Sequence, residues 1–135
     1  AGEMNSGLYS AERSTQTYER LASLAGQILA AGYPVVVDAT HLKQAQRDTL
    51  RQAIEDQGAP GLILQCSAPL DTIESWMEVR RQQGRDPSDG DISVAREQLL
   101  AREALTGEEQ ASALQVETDS TDSIALLVSQ LRQRF

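Results

Sequence analysis

Tyr18, Leu21, Leu24, Ala25, Ile28 and Leu29 recur at helical spacing, which predicts a helix over about residues 11–31 with a single apolar stripe. The small polar residues 1–9 before it read as a loop. Gly32 suits the left-handed position past its end, with Pro34 beyond. The pattern then changes period. Val35, Val36 and Val37 form a β-branched run that predicts a strand buried on both faces. Helical spacing returns over about 43–56, with Leu42, Leu50, Ala53 and Ile54 facing inward and Gly58 and Pro60 ending it. A second buried strand is expected over 62–66. A helix follows from Pro69, carrying Ile73, Trp76 and Met77 and ending at Arg80 and Arg81.

Residues 84–91 form the clearest loop, and a helix over about 92–105 comes next. A polar connection at 107–112 leads to a short strand at 113–117. Thr118, Asp119 and Ser120 are N-cap candidates for a last helix with Ile124, Leu127, Val128, Leu131 and Phe135 on one face. Strands alternating with helices imply an α/β fold, a three-layer αβα arrangement around a parallel sheet. Three strands are few for that design. The pattern reads as a single domain, residues 1–135, without its beginning.

The composition narrows the class. Of 135 residues 40% are hydrophobic and 4% aromatic, so the core is aliphatic. The net charge of -8 argues against broad nucleic-acid binding, which needs a basic footprint, and against anionic membranes. The single cysteine, Cys66, permits no internal disulfide and fits a cytoplasmic location; at the end of an apolar strand it reads as buried packing. No apolar run approaches a membrane span, and no charged-then-apolar leader opens the chain.

The chemistry concentrates where the first strand ends. Asp38, Ala39 and Thr40 follow the valines directly, and ligands of open α/β sheets sit outside the carboxyl ends of the strands. Asp38 is placed to hold Mg²⁺ or its water, or to take a proton from a substrate hydroxyl. Thr40 adds a hydroxyl ligand or a cap. A structural alternative has Asp38 merely starting the turn and capping the next helix. His41, the only histidine, either lines the pocket or is exposed. Arg80, Arg81 and Arg85 flank a Gly-containing loop and suit a phosphate lid, or else a solvated helix end. Tyr9 either faces a substrate or packs, and Ser10 can cap the first helix. No G-x-x-x-x-G-K-[ST] phosphate cradle occurs in the sequence.

Four motifs in order carry a resemblance: 7–12 (GLYSAE), 36–40 (VVDAT), 65–69 (QCSAP) and 80–89 (RRQQGRDPSD). Together they resemble the bacterial P-loop kinase-like ATP-binding domains found alone or fused behind aminoglycoside-phosphotransferase-like domains. Gluconate kinases and polynucleotide kinases are more distant relatives. In that family a first strand, a Gly-rich phosphate loop and its helix come before the Tyr-Ser segment.

The resemblance implies a parent protein that transfers the γ-phosphoryl of ATP, with Mg²⁺, to a small-molecule or nucleic-acid-end hydroxyl. It implies Asp38 and Thr40 as catalytic groups, with Asp38 also the metal ligand. It implies Arg81 and Arg85 in a lid over about 80–95 that closes on the phosphates of ATP, with Arg80 beside them. His41, where an aromatic or Asn is more usual, and Gly90, where Ala is, depart from the family pattern, and Tyr9, Ser10 and His41 are the candidates toward the substrate. These 135 residues alone are expected to bind no cofactor and to be inactive. The rival expectation is a non-catalytic binding or regulatory module that has lost its phosphate loop. The family's absent strand would lie between the Asp38 strand and the 62–66 strand. Those two strands are therefore expected to pair directly, or a second copy to fill the gap in a homodimer.

Overall fold

The computed structural model describes residues 2–84 and 92–135, with side chains over 10–84 and 96–135. The chain divides into two compact units, residues 1–61 and 62–135.

The first unit is a helical hairpin. Helix α1 spans Gly2–Ala30 and packs on α2, Gln44–Asp56. Its start is a correction: the polar residues 2–9 continue the helix rather than forming a loop. None of them is a proline, and Gly2 and Gly7 lie within its first two turns. Both helices end in the glycine-capped manner that Gly32 and Gly58 suggested. At α1 the Gly32 N–H donates to Leu29 O (2.9 Å) and the Tyr33 N–H to Ile28 O (3.2 Å). At α2 the Gly58 N–H donates to Glu55 O (2.8 Å) and the Ala59 N–H to Ile54 O (3.3 Å). The φ values of Gly32 (89°) and Gly58 (65°) are the left-handed geometry this motif needs.

The buried face of α1 is narrower than the apolar stripe. Ala22 and Ala25 are buried, while Leu24 and Ile28 lie at its exposed margin. Small residues there let α2 approach closely. A shallow groove of about 310 Å³ runs between the helices, lined by Ala22, Gly26, Ala30 and Ala53 with Asp56 and Gln57 at its rim.

Between the helices the chain runs irregularly, and here the sequence misled. Val35–Val37 belongs to no strand. Val35 and Val37 are half-buried and Val36 is 88% exposed. β-branched residues favour an extended backbone, but a strand also needs a ladder, and Val35–Val37 take part in none.

The second unit is α/β with a small parallel sheet. Strand β1, Ile63–Ser67, pairs in parallel with β2, Ala113–Glu117, in the register Gln65↔Gln115 and Cys66↔Val116. Gln115 Nε2 donates to Gln65 Oε1 across the pair (2.7 Å). Cys66 is exposed, not packed inside. Helix α3, Leu70–Gln83, starts at Pro69 and ends at Gly84 (φ 63°). Helix α4 covers Ile92–Ala101, and its Arg96 pairs with Glu74 of α3 at 2.8 Å.

A short helix, α5 (Gly107–Ala111), stands where a polar connection was expected. The Thr106 hydroxyl accepts from the Glu109 N–H and the Glu109 carboxylate accepts from the Thr106 N–H, both at 3.1 Å. That reciprocal cap is legible as Thr-x-x-Glu. Helix α6, Thr121–Arg134, is capped by Ser120 as expected, and both α5 and α6 pack on β2 around the buried Val116. No helix among the described residues is long and apolar enough to cross a membrane.

Candidate functional site

The Asp38–Ala39–Thr40–His41 segment is held by residues that precede and follow it in the first unit. Fully extended, Tyr33–Asp38 could reach roughly 17 Å. The Tyr18–Ala30 stretch of α1 is roughly 18 Å long. The connection therefore doubles back beside α1 and brings Thr40 and His41 to Tyr18.

There the Tyr18 hydroxyl makes two hydrogen bonds. It lies 3.0 Å from Thr40 Oγ1 and accepts from the His41 backbone N–H at 3.1 Å. Its ring meets the His41 imidazole edge-on, with centroids 4.8 Å apart. From α2, Arg47 Nη1 donates to the His41 carbonyl (3.0 Å) and, more weakly, to that of Leu42 (3.5 Å). Gln46 Oε1 accepts from the Lys43 N–H (3.1 Å), which starts α2. Polar backbone groups of three successive residues thus have side-chain partners.

His41 is where the segment is strained. Its φ is 45°, in the left-handed region that costs a side-chain-bearing residue about 1–2 kcal/mol. The ring is half-buried and its Nε2 is a buried atom with no hydrogen-bond partner. Burial pushes the imidazole below its ordinary range. A backbone hydrogen bond at Ala39 opposes that shift, and the nearby Arg47 charge adds to it. The ring is half-buried against Tyr18, while Asp38 and Thr40 are exposed.

The other candidate residues are placed as follows. Ser10 lies inside α1 and is exposed, so it does not cap the helix. The backbone of Tyr9 is in the same helix, but its side chain lies outside the described residues. Arg80 and Arg81 are exposed on the last turn of α3, in the second unit. Arg81 donates to Glu78 at 2.8 Å, which raises the guanidinium's proton affinity and lowers that of the carboxylate. Arg85 and residues 85–91 of the expected lid lie outside the described residues.

Among the described residues no group of three or more His, Cys, Asp or Glu could hold a metal. Tyr18 and Arg47 were not read as site residues from the sequence. Tyr18 looked like part of the apolar stripe. Arg47 had a signal, as a charged residue on the inward side of α2 near Leu50 and Ile54, and it is buried to 8% exposure.

Against known proteins, a family model described as an AAA domain matches residues 1–105. No curated protein and no solved structure matches the chain. The family match covers well over half of the chain and includes Asp38, Thr40, His41, Tyr18, Arg47 and the α3 arginines. The chain belongs to the AAA domain family, a P-loop NTPase-like kinase family whose members generally bind ATP or another nucleoside triphosphate with Mg²⁺.

Proposed function

We propose that this AAA-domain chain forms the acceptor side of a kinase-like nucleotide site whose reaction moves the γ-phosphoryl of ATP to a hydroxyl. The observation that carries this reading is the exposed Asp38 and Thr40 pair on a turn fixed from α1 and α2, inside the segment that the family model covers. Phosphoryl transfer needs little covalent help from a protein. It needs position and charge stabilisation. In this reading Asp38 takes the acceptor's proton or holds a Mg²⁺-bound water, and Thr40 faces the phosphate oxygens. Bound Mg²⁺ would neutralise charge on the transferring group.

Arg80, Arg81 and Arg85 are proposed as phosphate-binding residues on the strength of the family resemblance. Arg81 would exchange Glu78 for a phosphate oxygen, another anionic acceptor for its guanidinium. The sequence contains no G-x-x-x-x-G-K-[ST], whose backbone N–H groups and lysine supply most of the grip on the β- and γ-phosphates. These 135 residues are therefore proposed to hold Mg-ATP weakly and not to turn it over alone.

The test is paramagnetic broadening by Mn-ATP, followed by NMR, with calorimetry of Mg-ATP alongside. Millimolar Mn-ATP should broaden the amides of residues 36–42 in the wild type and spare them in Asp38→Asn. A wild type with no broadening there would defeat the nucleotide reading. Micromolar affinity by calorimetry would defeat the half-site reading.

A further inference from the structure

We infer that Tyr18 is a positioning residue that makes Thr40 an outward hydrogen-bond donor toward an anionic phosphate oxygen. This rests on the nucleotide reading above. A phenol oxygen commonly accepts one hydrogen bond and donates one. Tyr18 Oη already accepts from the His41 N–H. Either hydroxyl can donate across the 3.0 Å contact with Thr40 Oγ1, and the phenol, already an acceptor, is assigned here as the donor. A phenol is also a better donor than an aliphatic alcohol. With one lone pair of Oγ1 engaged, the Thr40 proton is left to donate elsewhere, and Thr40 is exposed. The chain from His41 N–H through the phenol to the Thr40 hydroxyl is head-to-tail, so each bond polarises the next.

The surroundings fix the phenol. Its ring edge is set against His41, whose carbonyl is clamped by Arg47. A free threonine hydroxyl rotates among acceptors and donors alike. One that accepts from Tyr18 has its proton free for another acceptor, which suits a phosphoryl oxygen. Tyr18 touches no reacting atom in this arrangement. It acts through Thr40 and His41.

The experiment is a double-mutant cycle on the 135-residue chain, with Mg-ATP as the probe titrated by NMR and hydrogen exchange read at the His41 amide. Tyr18→Phe keeps the ring and removes the hydroxyl; Thr40→Val removes the donor and Thr40→Ser restores it. Tyr18→Phe and Thr40→Val should each weaken binding about 3–10-fold, and the double variant should bind no more weakly than Thr40→Val, because both act on one donor. Thr40→Ser should bind as the wild type does. In Tyr18→Phe the His41 amide should exchange about tenfold faster or more.

Wild-type affinity in Tyr18→Phe, or additive losses in the cycle, would overturn the positioning role while leaving the nucleotide reading in place. An unchanged His41 amide in Tyr18→Phe would do the same. Absence of binding by the wild type would instead remove the nucleotide reading, and the donor role with it. Thr40→Val and Thr40→Ser leave the Tyr18 ring intact, so the comparison between them decides the donor role even if Tyr18→Phe folds poorly.

Discussion

His41 combines a left-handed backbone, a half-buried ring and a lowered proton affinity in one short segment. Its imidazole loses proton affinity on folding, chiefly by burial. The unfolded chain, with an ordinary histidine, therefore binds more protons between the two values. Stability from this group is fully present above about pH 6.5 and is lost as pH falls through the lowered folded value. Urea denaturation between pH 7.5 and 5.5 should show the midpoint falling toward acid. His41→Asn should flatten that slope, because asparagine tolerates the left-handed backbone and does not titrate. An unchanged slope in His41→Asn would place the acid sensitivity elsewhere.

At the scale of elements, the helix ends are written locally and can be tested locally. Gly32 and Gly58 have positive φ and no atom near enough to meet an added Cβ. Gly32→Ala and Gly58→Ala should therefore each destabilise by about 1–2 kcal/mol through backbone strain alone, measured by urea denaturation. Most elements were legible for the same reason. Gly58, Gly84, Pro69 and Ser120 punctuate helices by their own chemistry, and the 113–117 strand matches β2. What was not legible depends on distant partners. Val35–Val37 signals an extended backbone, but a strand also needs a neighbour that three valines do not name. The candidates Asp38, Thr40 and His41 were singled out because an expected strand end and a helix start bracket them, although the strand is not there. Tyr18 reaches Thr40 and His41 across more than twenty residues, so the sequence alone did not join it to them.

For the molecule as a whole, the question is which apolar residues hold it. Among the described residues the buried apolar set is Ala22, Ala25 and Val116. Val116 sits mid-strand with α6 packed on β2, so Val116→Ala should cost about 1–3 kcal/mol in lost methyl burial and cavity. Val36 gives the opposite expectation. At 88% exposure, Val36→Lys should shift stability by no more than about 0.5 kcal/mol. A strand buried on both faces would respond quite differently, since a buried unpaired lysine is among the most damaging changes a core can receive. Denaturation of the two variants therefore separates two folds. If Val36→Lys is silent and Val116→Ala is not, the valine segment is the open extended connection seen here and Asp38 stands on a turn braced by Tyr18 and Arg47. If Val36→Lys unfolds the protein, those valines lie in a sheet in solution, and Asp38 takes the strand-end position that the sequence first suggested.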